Sequence, residues 1–222
     1  MERNMDQWTK ELLDAPVKKA LPVLSFPSIQ LMGITVKELI NDSDLQAKGM
    51  KAVADRTPNA GGAVSLMDLS VEAECFGAPI RVSDDEVPTV IGPVLDTEID
   101  EDERMEAAEA LEVPEIGAGR TQIYIDAIEK ALDLITDRPV FAGVIGPFSL
   151  AGRLMDVTSS LISMMSRIWR MLCWKRQRSL SSSIFRHTRQ SVPMVLSLQN
   201  HLQVCCLRRW QLNFPAITAS AL

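Results

Sequence analysis

Apolar residues recur along the first two thirds of the chain in alternating helical and strand-like registers, and that alternation predicts the elements. Over residues 6–14, Trp8, Leu12 and Leu13 fall on one helical face, and Pro16 stops the pattern. Residues 21–26 form a short apolar run that reads as a buried strand between Pro22 and Pro27. From Thr35, residues 36–54 place Val36, Leu39, Ile40, Leu45, Met50 and Val53 at three- and four-residue steps. The helix predicted there is interrupted at residues 41–43 and broken by residues 57–62.

A second apolar run, residues 63–69, follows Gly61-Gly62 and carries one carboxylate, Asp68. Residues 77–93 predict short strands at 80–82 and 87–91, with Asp84, Asp85 and Glu86 as a solvated turn between them. Residues 96–112 surround Ile99, Met105, Ala108 and Leu111 with acids, which predicts an exposed helix or loop. They lack the Asp-x-Asp-x-Asp-Gly order of a calcium loop. Residues 124–136 carry Ile125, Ile128, Leu132 and Ile135 on one stripe, an amphipathic helix, and residues 139–145 are the next buried strand, ending at Gly146-Pro147.

Strand, helix, strand, excursion, helix, strand implies parallel crossovers and an α/β architecture. A closed (β/α)8 barrel needs at least about 200 residues. Only residues 1–158 carry this pattern, so the expectation is the N-terminal portion of a TIM barrel followed by an anomalous segment.

Charge marks the same boundary. Residues 1–158 hold 14 basic and 29 acidic side chains, whereas residues 159–222 hold 9 basic and no acidic ones. That tail also lacks glycine, although the chain has 11, and it contains both histidines and Cys173, Cys205 and Cys206. The overall net charge of −6 argues against a surface devoted to nucleic acid. The scattered cysteines give no disulfide framework and predict a reducing, cytoplasmic setting. No apolar run approaches the roughly 20 residues of a membrane span, so neither membrane nor nucleic acid is an expected partner.

Asp68 is the most informative single position. A charge at a strand's C-terminal end is costly to bury unpaired, and in α/β folds that end is where ligand sites are built. The alternative is that Asp68 caps a helix beginning at Ser70.

Four stretches carry a resemblance: residues 21–32 (LPVLSFPSIQLM), 67–77 (MDLSVEAECFG), 87–92 (VPTVIG) and 143–155 (GVIGPFSLAGRLM). They resemble the uroporphyrinogen decarboxylase superfamily, and within it the corrinoid-dependent branch of methylcobalamin:coenzyme M methyltransferase type. The resemblance implies a TIM barrel with its site at the C-terminal ends of the strands. It implies that Asp68 is the catalytic-site aspartate, which in the decarboxylases contacts the pyrrole nitrogens. Glu74, Gly146, Pro147 and Arg153 become candidate substrate-binding positions. Their ordinary alternatives are a surface helix carboxylate for Glu74 and a strand-ending turn for Gly146-Pro147.

Two departures separate the branches. The decarboxylases carry a pair of arginines after the first strand, whereas residues 25–33 contain no cation; they also carry a tyrosine where Arg153 stands. A porphyrinogen with many carboxylates needs bidentate cationic partners, so methyl transfer from methylcobalamin, free or on a corrinoid protein, to a thiol is the expected reaction, with the decarboxylase activity as alternative. In that branch a zinc ion held by His-x-Cys and a later Cys lowers the thiol's pKa. This chain has no His-x-Cys, so neither zinc nor the corrinoid is expected to bind stably, and the chain as it stands is expected to be inactive.

The tail has two readings. Residues 192–198, back-translated as GTG CCG ATG GTG TTG TCA TTG, give Ala-Asp-Gly-Val-Val-Ile when two bases are dropped, which is a turn and strand of a barrel; the glycine is forced by Met194 before Val195. A shifted frame thus explains the missing acids and glycines. Otherwise the tail is a genuine basic module, whose Trp169 and Trp174 among arginines suit anionic membrane or nucleic acid.

Overall fold

The computed structural model describes residues 5–23, 26–95, 100–112, 114–115, 117–145, 147–155, 194–199 and 201–205. The helices are α1 (Met5–Asp14), α2 (Ser28–Met32), α3 (Val36–Asn41), α4 (Ser43–Arg56), α5 (Val71–Cys75), α6 (Glu101–Ala110), α7 (Thr121–Leu134) and α8 (Pro147–Met155). The strands are β1 (Ala63–Val64), β2 (Ile80–Arg81), β3 (Thr89–Val90), β4 (Val140–Ile145), β5 (Met194–Gln199) and β6 (His201–Cys205).

The interruption expected near residue 42 is a double cap. Thr35 and Glu38 form a capping box at the start of α3: Glu38 N donates to Thr35 Oγ1 at 3.1 Å and Thr35 N to Glu38 Oε2 at 2.8 Å. Asp42 is extended and accepts from the amides of Asp44 and Leu45 at 2.7 and 3.0 Å, so α3 ends where α4 begins.

The strand expected over residues 21–26 is not formed by the described part of that run: residues 21–23 are irregular, Phe26 and Pro27 make a turn, and Leu24 and Ser25 lie outside the described residues. Pro22 has no N–H to give a ladder. The run still flanks the sheet, because Gly61 N donates to Ala20 O at 2.8 Å.

The main sheet has the order β1-β4-β5-β6, with β1 and β5 parallel to β4 and β6 antiparallel to β5. Ala63 pairs with Val140 and Val64 with Phe141. The excursion between β1 and β4 contains the small antiparallel hairpin β2-β3. Helices α4 and α7 lie side by side on one face, each leading into its own strand, which is the repeat of a β/α barrel wall. The layer between them and the sheet is Ala47, Met50, Ala54, Ala63, Ala131, Ile135 and Val140.

On the other face Val64 and Phe141 pack with Trp8, Leu21 and Met67. Trp8 and Phe141 rings lie 5.4 Å apart, and Trp8 Nε1 donates to Gly61 O at 3.1 Å. Gly62 is required there, since a Cβ at this position would fall inside the Phe141 ring. A third cluster, with Ala73, Leu95, Ala108, Ile145, Leu150 and Leu154 at its centre, joins α5, α6 and α8 at the end of β4.

Candidate functional site

The first residues past β1 are held in place by a hydrogen bond from Ser65 N to Phe141 O at 2.8 Å, which carries the chain along β4 toward its C-terminal end. Asp68 follows at that end. The end of β4 is secured by the same segment, because Ile145 N donates to Glu72 Oε1 at 3.0 Å. Asp68 and the last residue of β4 therefore share one end of the sheet.

The Asp68 side chain is 0% exposed. Its Oδ1 accepts from Ser70 N at 2.9 Å and from Ser70 Oγ at 2.6 Å. Its Oδ2 accepts from Arg120 Nη1 at 2.7 Å and from Tyr124 Oη at 2.9 Å. These four donors fill the roughly four lone-pair positions of a carboxylate. Oδ1 organises the turn into α5, whose N-cap is Ser70 without a side-chain cap, and Oδ2 joins a cluster assembled across the fold.

Arg120 is the hub of that cluster. Its Nε donates to Glu74 Oε2 at 2.7 Å, its Nη2 to Ser70 Oγ at 3.2 Å, and its Nη1 to Tyr124 Oη at 3.4 Å as well as to Asp68. The guanidinium is placed by a turn with Gly117 at φ 86° and Gly119 at φ 54°, a left-handed backbone region that favours glycine. Arg120 then stands at the N-cap of α7, and Tyr124 lies one helical turn further on the same face.

Burial alone pulls the Arg120 guanidinium down, but the hydrogen bond and charge of Asp68 outweigh it and hold its pKa above the ordinary value. Burial, followed by the charge of Asp68, pushes the Tyr124 hydroxyl far above the usual phenol range, although Arg120 opposes this. Cys75, on the same short helix, donates from Sγ to Ala118 O at 3.1 Å; burial and then Glu74 and Glu72 push its thiol up.

Of the residues singled out in the sequence, Asp68 and Glu74 come together through Arg120. Arg153 lies half-buried in the last turn of α8, where a cation favours the helix C-terminus, and it makes no hydrogen bond or ion pair with the described residues. Pro147 opens α8, a position that suits its fixed φ and missing N–H. Gly146 lies outside the described residues.

Arg120, Tyr124 and Ser70 escaped the sequence reading. The first two are separated from Asp68 by 52 and 56 positions. The available signal was an arginine directly after Gly-Ala-Gly, four residues before the chain's one tyrosine.

The described residues do not assemble a zinc site. Among the described residues there is no group of three or more His, Cys, Asp or Glu able to hold a metal ion. His201 and Cys205 both lie on β6, four residues apart. At about 3.3 Å per residue along a strand, their Cα atoms are about 13 Å apart. Cys206 lies outside the described residues.

A family model described as Uroporphyrinogen decarboxylase (URO-D) matches residues 19–178. Among solved structures the chain is similar to a methyltransferase from Methanosarcina mazei, at 18% identity and a TM-score of 0.55, over 76% of this chain and 52% of that one. The chain thus spans about half the length of that structure. No curated protein matches. Together these findings make the described α/β wall part of a TIM barrel. No described helix is long and apolar enough to cross a membrane.

Proposed function

The chain belongs to the uroporphyrinogen decarboxylase family, and from that premise we propose that it represents the corrinoid-dependent methyltransferase branch, with methylcobalamin, free or on a corrinoid protein, as methyl donor and a thiol as acceptor. The observation that carries this reading is the state of Arg120. Its guanidinium is held by Asp68, Glu74 and Ser70 of the same chain, so it is not open to clamp a substrate carboxylate from both sides. With no cation in residues 25–33 either, a polycarboxylate tetrapyrrole lacks the partners it needs. The methyltransferase structure in Methanosarcina mazei supports the same branch.

In the proposed reaction the thiol sulfur forms a bond to the methyl carbon, the Co–C bond breaks with its electron pair staying on cobalt, and the thiol proton passes to solvent. Asp68, Glu72 and Ser70 contribute by fixing the mouth of the sheet: they tie β1, β4, α5 and α7 at one end. Zinc in such enzymes activates the thiol, and the residues described here do not fit it, so the 222-residue chain is proposed to lack turnover. Among the described residues the sheet is also open, with β1 at one edge and β6 at the other, whereas a closed barrel has no edges. We attribute the composition of residues 159–222 to a shifted reading frame.

Incubating the purified chain with methylcobalamin, a thiol and added zinc, and following the cobalamin spectrum, tests both parts. No demethylation is expected; turnover would refute the inactivity. Sequencing the gene across the codons for residues 158–165, and expressing it with the frame restored, is expected to give an active enzyme. A restored protein that cannot transfer the methyl group rejects the assignment, and an intact frame with no barrel-coding sequence downstream rejects the shift.

A further inference from the structure

A guanidinium carries five N–H groups. In Arg120, Nε–H goes to Glu74, the two Nη1 hydrogens to Asp68 and Tyr124, and one Nη2 hydrogen to Ser70. The fifth, on Nη2, has no acceptor among the described residues. Asp68 has nothing left to offer a ligand, being wholly buried with its lone pairs filled. Arg120 and Glu74 do reach the surface, with side chains 10% and 31% exposed. This part of the fold therefore holds one N–H donor without an acceptor among the described residues, beside a partly exposed carboxylate.

A single remaining N–H cannot make the two-pronged contact by which arginine selects carboxylates. An incoming carboxylate would also meet Glu74 beside it and Asp68 behind, like charges that disfavour its approach. A neutral carbonyl oxygen meets neither problem. We propose that Arg120 and Glu74 form a selectivity pair that takes a peripheral carboxamide of the ligand and rejects a carboxylate at the same place. The inference rests on the corrinoid reading above: the edge of a cobalamin ring bears carboxamides, while that of a uroporphyrinogen bears carboxylates. Arg120 donates to the amide carbonyl, and Glu74 both orients the guanidinium and excludes the acid.

Two corrinoids with the same ring and axial ligands test this, dicyanocobinamide with its carboxamides and dicyanocobyrinic acid with carboxylates. Equilibrium dialysis against the full chain at low salt is expected to show cobinamide binding about tenfold or more tightly; the acid carries seven carboxylates and the chain a net charge of −6, so the share due to the pair is read from the Glu74 variant. Glu74→Gln keeps an acceptor for Arg120 Nε and removes the charge, so the preference is expected to fall about fivefold or more with the circular dichroism unchanged. Higher salt should narrow the wild-type preference. Equal binding of the two corrinoids, tighter binding of the acid, or an unchanged ratio in Glu74→Gln overturns the selectivity pair and leaves the methyl-transfer reading standing. Binding of neither corrinoid overturns the selectivity pair, and the methyl-transfer reading then rests on the frame-restored enzyme alone.

Discussion

Replacing Arg120 by methionine probes how far the fold depends on its buried ion pair. The substitution keeps an unbranched apolar stem but removes every N–H from Asp68, Glu74, Ser70 and Tyr124. Asp68 is left 0% exposed with only Ser70 and the Tyr124 hydroxyl as donors. Removing one partner of a buried pair costs about 3–5 kcal/mol, because the other charge stays desolvated. Against a total stability of about 5–15 kcal/mol this is a large share. At about 2–4 °C per kcal/mol for a chain of this size, the midpoint should fall by about 6–20 °C. Thermal unfolding followed by circular dichroism measures the midpoint, and urea unfolding the free energy. The double variant Asp68→Asn with Arg120→Met should recover part of the loss, since the stranded charge is gone. A loss below about 1 kcal/mol in Arg120→Met would show that the pair is as weak as an exposed one and would refute the reasoning.

Tyr124 is the chain's one tyrosine, so its ionisation can be read without interference from another. Its folded pKa is raised, so above the unfolded value of about 10 the native state binds the extra proton and stability falls as pH rises. The tyrosinate absorption band should appear only together with the loss of circular dichroism; a tyrosinate signal in the folded chain near the ordinary phenol pKa contradicts the geometry. Ser28 Oγ is buried with no hydrogen-bond partner among the described residues, against Gly49. Ser28→Ala should raise stability by about 1 kcal/mol in denaturant titration, and a loss of stability would point to a partner the hydroxyl does have. Gly62→Ala drives a methyl into the Phe141 ring and should cost about 1–3 kcal/mol, whereas a neutral result would mean that the Trp8–Phe141 layer is loose.

Most of the elements were legible because each rests on local periodicity or on a cap. The break near residue 42, the 80–91 hairpin, the acidic helix and the strand before Gly146 all arise from side chains within a few positions of one another. The stripe read on α7 was less complete. Large apolar residues define a pattern, yet the residues wholly covered within α7 are Ala127 and Ala131. Small side chains are weak signals in a sequence, but they let helix and sheet approach closely.

What the sequence by itself determined is the α/β alternation, the place of a carboxylate at the end of the first paired strand, and the compositional boundary near residue 158. These depend on neighbours in the chain or on counting. Only the tertiary structure decided what Asp68 touches: an arginine and a tyrosine more than fifty residues away, brought to it because α7 docks beside α4 and feeds β4 next to β1. No local pattern encodes that meeting. Burial in the assembled fold is what turns an exposed-looking Gly-Ala-Gly-Arg turn into the counter-ion of the site, since an unpaired charge at Asp68 could not remain there.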